Sequence, residues 1–442
     1  MTTRVRRPGR RRSPSLRTMT PLIILALTAA ACGQSATQGG PAVSPRPLAT
    51  SPGTESPGTA GPLPSGTATT AASATPGATS SAATSTAPPA PAASCTDRYF
   101  SGMTPAQRVG QLFMGGVSAA HPDEAQLRTL RDHHVGSIML TGRSSAGTTV
   151  TRRLVDGFRG QADQVAGKRV GLMVATDQEG GRVQVLSGPG FSAIPSGLTQ
   201  GSWPVTTLRT RAAGWAEQLK AAGVDLDLAP VADVVPAGLG TRNAPIGSFD
   251  REYGHTAGTV TSHSNAFAAG FAQSGVMTTL KHFPGLGQVI GNTDVSANVV
   301  DSVTTAGSSG LMPFRAGIRA GSPFVMVSSA TYTKIDSKHL AAFSPTVIGQ
   351  LLRRDMGFKG VVISDDLGNA VAVRSFTPAQ RALNFLSAGG DMILTVRPST
   401  VPAMAQAIRT RMQQDASFRA KVDDSVHRIL AAKHGAGLLV CR

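Results

Sequence analysis

The stretch GVMTTLKHFPG, residues 275–285, is an apolar run that stops at Lys281 and His282 and is followed by Pro284 and Gly285. It is too short for a core helix, and the turn residues behind it fit the end of a buried strand. The pattern recurs in HVGSIML (134–140), RVGLMVATD (169–177), VDLDLAPVADV (224–234), PFVMVSS (323–329), GVVISDD (360–366) and DMILTV (391–396). Helical patterns fall between these runs, over 206–222, 255–274 and 345–356. TPAQRVGQLFM (104–114) reads as a further helix, with Thr104 as N-cap, Pro105 at the first helical position, and Val109, Leu112 and Phe113 on one side.

Strand-helix alternation of this kind predicts an α/β fold with a parallel sheet covered by helices, either open and doubly wound or closed into a barrel. Polar residues collect at the strands' carboxyl ends: Asp177, Asp233, Lys281 with His282, Ser328 with Ser329, and Asp365 with Asp366. In a barrel those ends share one mouth. No Gly-rich phosphate fingerprint follows any strand, which argues against a nucleotide-binding open sheet. No internal repeat is visible.

Composition separates the first fifth of the chain from the rest. Residues 1–31 carry a basic start, RVRRPGRRRSPSLR, and a short apolar run ending in small residues, PLIILALTAAA, which together read as an export signal. TAAAC resembles a bacterial lipobox, which implies cleavage before Cys32 and a lipid on its thiol. The stretch from Cys32 to Ser94 is nearly all Ala, Gly, Pro, Ser and Thr, with Arg46 and Glu55 as its only charges. It has too little apolar surface to offset the entropy of ordering and reads as a disordered tether.

The formal charge of +17 includes seven arginines in the signal, so 17 less 7 leaves +10 for the remainder. A basic exported chain favours anionic surfaces such as wall polymers or lipid headgroups over nucleic acid, for which no recognition motif is present. Cys95 and Cys441 bracket the folded part, and in an oxidising compartment they are expected to pair. A bridge closing so long a loop is worth about 3 to 5 kcal/mol.

Two segments concentrate chemistry. GVVISDDL puts Asp365 and Asp366 directly after a buried strand, where adjacent side chains face opposite ways, so one of them can enter the mouth. A carboxylate there can serve as nucleophile, base or metal ligand, while a helix N-cap role fits Asp366 better than Asp365. DQEGGRV places Asp177 and Glu179 at another strand end beside Gly180 and Gly181, which let a ligand approach the backbone. Asp177 can take hydrogen bonds from two sugar hydroxyls, and Lys281 and His282 can donate to the same ligand.

DQEGGRV (177–183), LAPVADV (228–234), NAPIG (243–247), DREYG (250–254), KHFPG (281–285) and GVVISDDL (360–367) stand in an order that resembles family 3 glycoside hydrolases, above all the single-domain bacterial β-N-acetylglucosaminidases. The resemblance runs over most of residues 98–437. It implies a single (β/α)8 TIM-like barrel over 95–442, a retaining mechanism, and neither metal nor organic cofactor. It implies Asp365 as nucleophile, with Asp177, Arg251, Lys281 and His282 binding the terminal sugar. Lys281 and Arg251 are further expected to favour the ionised form of Asp365.

The chain departs from the family in one loop. Relatives carry a second His where Leu286 stands, and an Asp-Ser-His triplet where an ungapped count puts Asn292, Thr293 and Asp294. Asp294 then takes the place of the acid/base His, with Asp301 or a group from outside the chain as the alternative. A carboxylic acid can do this work, since retaining glycosidases pair a nucleophilic carboxylate with a carboxyl acid/base. Its pKa should be raised by loop closure and by Asp365.

The expected protein is therefore an exported lipoprotein on the outer face of the cell membrane, a monomer that removes terminal β-linked N-acetylglucosamine from peptidoglycan-derived saccharides. The chain stops soon after the barrel, at HGAGLLVCR, which favours the single-domain type. A β-glucosidase, or a carbohydrate-binding pseudoenzyme that lost its acid/base loop, is the alternative.

Overall fold

The computed structural model describes residues 94–165 and 167–441. The export signal, most of the tether and Cys32 lie outside the described residues.

Eight parallel strands follow one another around a barrel: β1 (Phe113–Ser118), β2 (Ser137–Thr141), β3 (Met173–Thr176), β4 (Leu226–Asp227), β5 (Met277–Phe283), β6 (Phe324–Val327), β7 (Val361–Ser364) and β8 (Ile393–Thr395). Each pairs with its neighbour in sequence, and β8 pairs with β1. The last seam, between β7 and β8, is a single bridge from Ile363 to Met392. Ser364 strengthens it by donating its N–H to the Met392 carbonyl at 2.9 Å and accepting the Leu394 N–H on Oγ at 3.0 Å. Of the two arrangements open to the sequence, the nearly closed barrel is the one observed.

The strands are buried along nearly their whole length and mostly apolar because both faces are covered, by the barrel interior and by the helices. Val325 is buried on β6, and Val361, Val362 and Ile363 are buried on β7, which packs against the helix Ala416–Gly435, while the helix Ala257–Gln273 covers β5. Local signals set the helix starts. Thr104 and Thr377 each cap a helix through a reciprocal bond with the Gln three residues on, followed by Pro at the first turn.

One expectation fails. The helix from Pro105 stops at Gln111, and Phe113 and Met114 begin β1 instead of extending it. Packing decides this point: a Cβ on Gly116 would stand 2.7 Å from the Val396 Cα, so this segment runs hard against β8. Gly115 and Gly116 thin the apolar run and hide the strand from a periodicity reading.

Cys95 and Cys441 are joined, with their Cα atoms 5.5 Å apart, tying the first helix to the end of the last segment. Tyr99 adds to that junction, its hydroxyl accepting the Val440 N–H at 3.1 Å. Among the described residues no helix is long and apolar enough to cross a membrane.

Candidate active site

A cavity of about 290 Å³ opens at the carboxyl ends of the strands, and Asp177, Arg251, Lys281, His282, Asp294 and Asp365 all line it. These six residues, scattered over nearly 190 positions, meet because the barrel brings every strand end to one rim.

On the β3–β5 side the cavity is built from paired charges. Arg251 grips both oxygens of Glu179, Nε to Oε2 at 2.8 Å and Nη2 to Oε1 at 2.7 Å. Lys281 Nζ lies 2.6 Å from Asp177 Oδ1 and 2.5 Å from Glu179 Oε1. Burial opposes ionisation of Glu179, but Arg251 and then Lys281 outweigh it and hold the carboxyl at about 2. Lys281 is likewise pushed up despite burial, by Asp177 and then Glu179. Lys281 is paired with both Asp177 and Glu179, and Arg251 with Glu179. Glu179 is thus the organiser of this wall, a role without a local sequence signal because its partner Arg251 is 72 residues away.

His282 is oriented from behind. Its Nδ1 lies 2.7 Å from Asp233 Oδ2, and the other Asp233 oxygen accepts the Leu286 N–H at 2.7 Å. The Nε2 faces Arg251 Nη2 at 3.4 Å. Arginine only donates, so the network assigns the proton to Nδ1. The Lys281–His282 peptide is cis, and both side chains line the cavity.

On the opposite side the two aspartates of β7 divide their tasks. Asp366 spends both oxygens on backbone N–H groups, those of Gly368 at 2.8 Å, Asn369 at 2.9 Å and Val396 at 3.0 Å. Burial raises its pKa against those bonds. Asp366 is the structural cap. Asp365, whose own N–H donates to the Val327 carbonyl at 3.0 Å, is only partly buried at the cavity wall.

Asp294 reaches the cavity from the loop after β5. Asn292 Oδ1 accepts its N–H at 2.9 Å, which folds the tip back on itself. The loop is fastened to the far wall, where Val371 N–H donates to the Asp294 carbonyl at 3.1 Å and Ala372 N–H to that of Thr293 at 3.0 Å. The residue as a whole is exposed, yet protein crowds its carboxyl. That loss of water first, and the negative charge of Asp365 second, raise its pKa to about 6. Asp301, the alternative acid/base, is 1% exposed and ties its carboxylate to Val303 and Thr304 outside the cavity.

Two carboxyl groups in one cavity walled by ion pairs make a site for acid–base chemistry on a polyhydroxylated ligand. Residues 104–432 match the glycosyl hydrolase family 3 N terminal domain, and the chain belongs to that family. It is a glycoside hydrolase acting on O-glycosyl bonds, with glycans as substrates. The beta-hexosaminidase of Xanthomonas axonopodis pv. citri is 33% identical over 311 residues, 69% of this chain and 89% of that one. Among solved structures, the beta-N-acetylhexosaminidase from Beutenbergia cavernae is 47% identical with a TM-score of 0.74, covering 75% of this chain and 99% of that chain. The family 3 beta-N-acetylglucosaminidase from a Paenibacillus species is 28% identical with a TM-score of 0.68, over 76% of this chain and 63% of that chain.

Proposed function

We propose that the chain is a retaining exo-β-N-acetylglucosaminidase that releases terminal N-acetylglucosamine from peptidoglycan-derived saccharides. The observation that carries the reading is the pair Asp365 and Asp294 in one cavity, with the Asp294 pKa raised to about 6. The names of the relatives support the sugar, and a cavity of about 290 Å³ suits one terminal ring. The basic start, apolar run and TAAAC around Cys32 support export and a lipid anchor on the outer face of the membrane.

In this mechanism the Asp365 carboxylate attacks C1 while Asp294 gives its proton to the departing glycosidic oxygen. The C1–O bond breaks and a covalent glycosyl-enzyme forms. Asp294, now ionised, takes a proton from water; the hydroxide so generated attacks C1 and releases Asp365. Asp177, Lys281, Arg251 and His282 hold the hydroxyls during both steps. Glu179 keeps the two cations charged and in place.

An activated fluoro-sugar that traps the intermediate tests the reading. Labelled Asp365 in a peptide digest is the expected result. A chain that binds N-acetylglucosamine but takes no label would instead be the carbohydrate-binding pseudoenzyme.

A further inference from the structure

Asp366 accepts the N–H of Asn369 at 2.9 Å on one oxygen and that of Val396 at 3.0 Å on the other. One buried carboxylate thus sets side by side two residues from different strand-end loops, those after β7 and β8. Their backbones have little room to part, since a Cβ on Gly368 would stand 3.1 Å from the Arg397 N. Asn369 and Val396 both line the catalytic cavity, next to Asp365. Among the described residues the Asn369 side-chain amide has no hydrogen-bond partner. Val396 leaves a branched apolar side chain 36% exposed beside it. Neither feature serves hydrogen bonding within the protein.

An amide with donor and acceptor both open, next to an apolar surface, complements an acetamido group: polar atoms meet polar atoms and the methyl meets the valine. Position agrees with chemistry. The nucleophile must reach C1, and the acetamido-bearing carbon is bonded to C1, so its substituent lies close to Asp365. The charged wall of Asp177, Lys281 and Arg251, from the β3–β5 side, is left for hydroxyls further round the ring.

We propose that Asn369 and Val396 form the subsite for the acetamido group and set the preference for N-acetylglucosamine over glucose. This rests on the glycosidase reading above. The test is the ratio of kcat/KM for the 4-nitrophenyl β-N-acetylglucosaminide to that for the β-glucoside, in the full chain and in Asn369→Leu. Loss of one amide hydrogen bond should lower that ratio about tenfold. A ratio unchanged within twofold overturns the proposal. If neither glycoside is turned over, the glycosidase reading fails, and calorimetry with the two free sugars still decides the subsite. A preference for N-acetylglucosamine that Asn369→Leu abolishes supports it, and equal binding of both sugars, or a preference that the variant keeps, overturns it.

Discussion

The N–H of Val371 donates to the carbonyl of Asp294 at 3.1 Å, so the loop that carries one carboxyl of the site is fastened to the segment that follows the other. With the bond from the Ala372 N–H to the Thr293 carbonyl at 3.0 Å, the loop is held to that segment at two successive residues.

Loosening this latch should harm proton donation before it harms binding. Ala372→Pro removes one of the two donors. Steady-state kinetics should show kcat/KM reduced about tenfold for a glycoside with a poor leaving group, and much less for an activated aryl glycoside. An equal loss on both would mean that the loop serves only to hold the fold.

The pH profile should carry the mark of Asp294. The acid acts protonated, and burial with the charge of Asp365 puts its pKa at about 6, so kcat/KM should fall as pH rises through that value. In Asp294→Asn the alkaline limb should disappear. A limb that survives the substitution belongs to another group.

Once ionised, Asp294 should also choose the acceptor. A negative carboxylate beside the glycosyl-enzyme repels phosphate but not water. Free sugar should be the main product in phosphate buffer, read by phosphorus NMR. Sugar 1-phosphate as the main product would contradict the assignment.

Stability has its own pH dependence, from Lys433 at the other end of the barrel. Its Nζ is wholly buried, bonded to Gln111 Oε1 at 2.7 Å and the Gly136 carbonyl at 2.6 Å, and burial pulls its pKa from 10.5 to about 7. Between those values the unfolded chain binds the extra proton. The penalty is therefore complete below about 7 and fades as pH rises towards 10.5. Urea unfolding at pH 7 and 9.5 should show wild type gaining stability relative to Lys433→Met; parallel curves would refute this.

The bond between Cys95 and Cys441 should matter to stability and not to catalysis. The double variant Cys95→Ser with Cys441→Ser should lose about 3 kcal/mol, seen as a melting temperature lower by about 5 °C or more. Turnover at 25 °C should be unaffected; a large loss of kcat would tie the junction to the site.

Seven of the eight strands were legible because their apolar runs end in polar residues, which is how a barrel rim looks in sequence. β1 was not, since Gly115 and Gly116 interrupt its run and the capping signals of the preceding helix lead into it. Asp177, Lys281, His282 and Asp365, which line the cavity, were also legible because they stand in motifs at strand ends, whereas Arg251 and Asp294 were placed by the order of motifs in the family resemblance. Their partners were not. Glu179 and Arg251 find each other only through the closed barrel, and Asp233 meets His282 across 49 residues. Asn369 and Val396 are brought together by Asp366, whose capping role could be read while its second partner could not.

The most direct test of the central claim, a nucleophile at Asp365 and an acid at Asp294, is turnover of aryl β-N-acetylglucosaminides of graded leaving-group pKa by wild type, Asp294→Asn and Asp365→Ala. The account predicts that Asp294→Asn approaches the wild-type rate as the leaving group improves, while Asp365→Ala stays inactive throughout. Uniform impairment of Asp294→Asn across the series, or substantial turnover by Asp365→Ala, would contradict it.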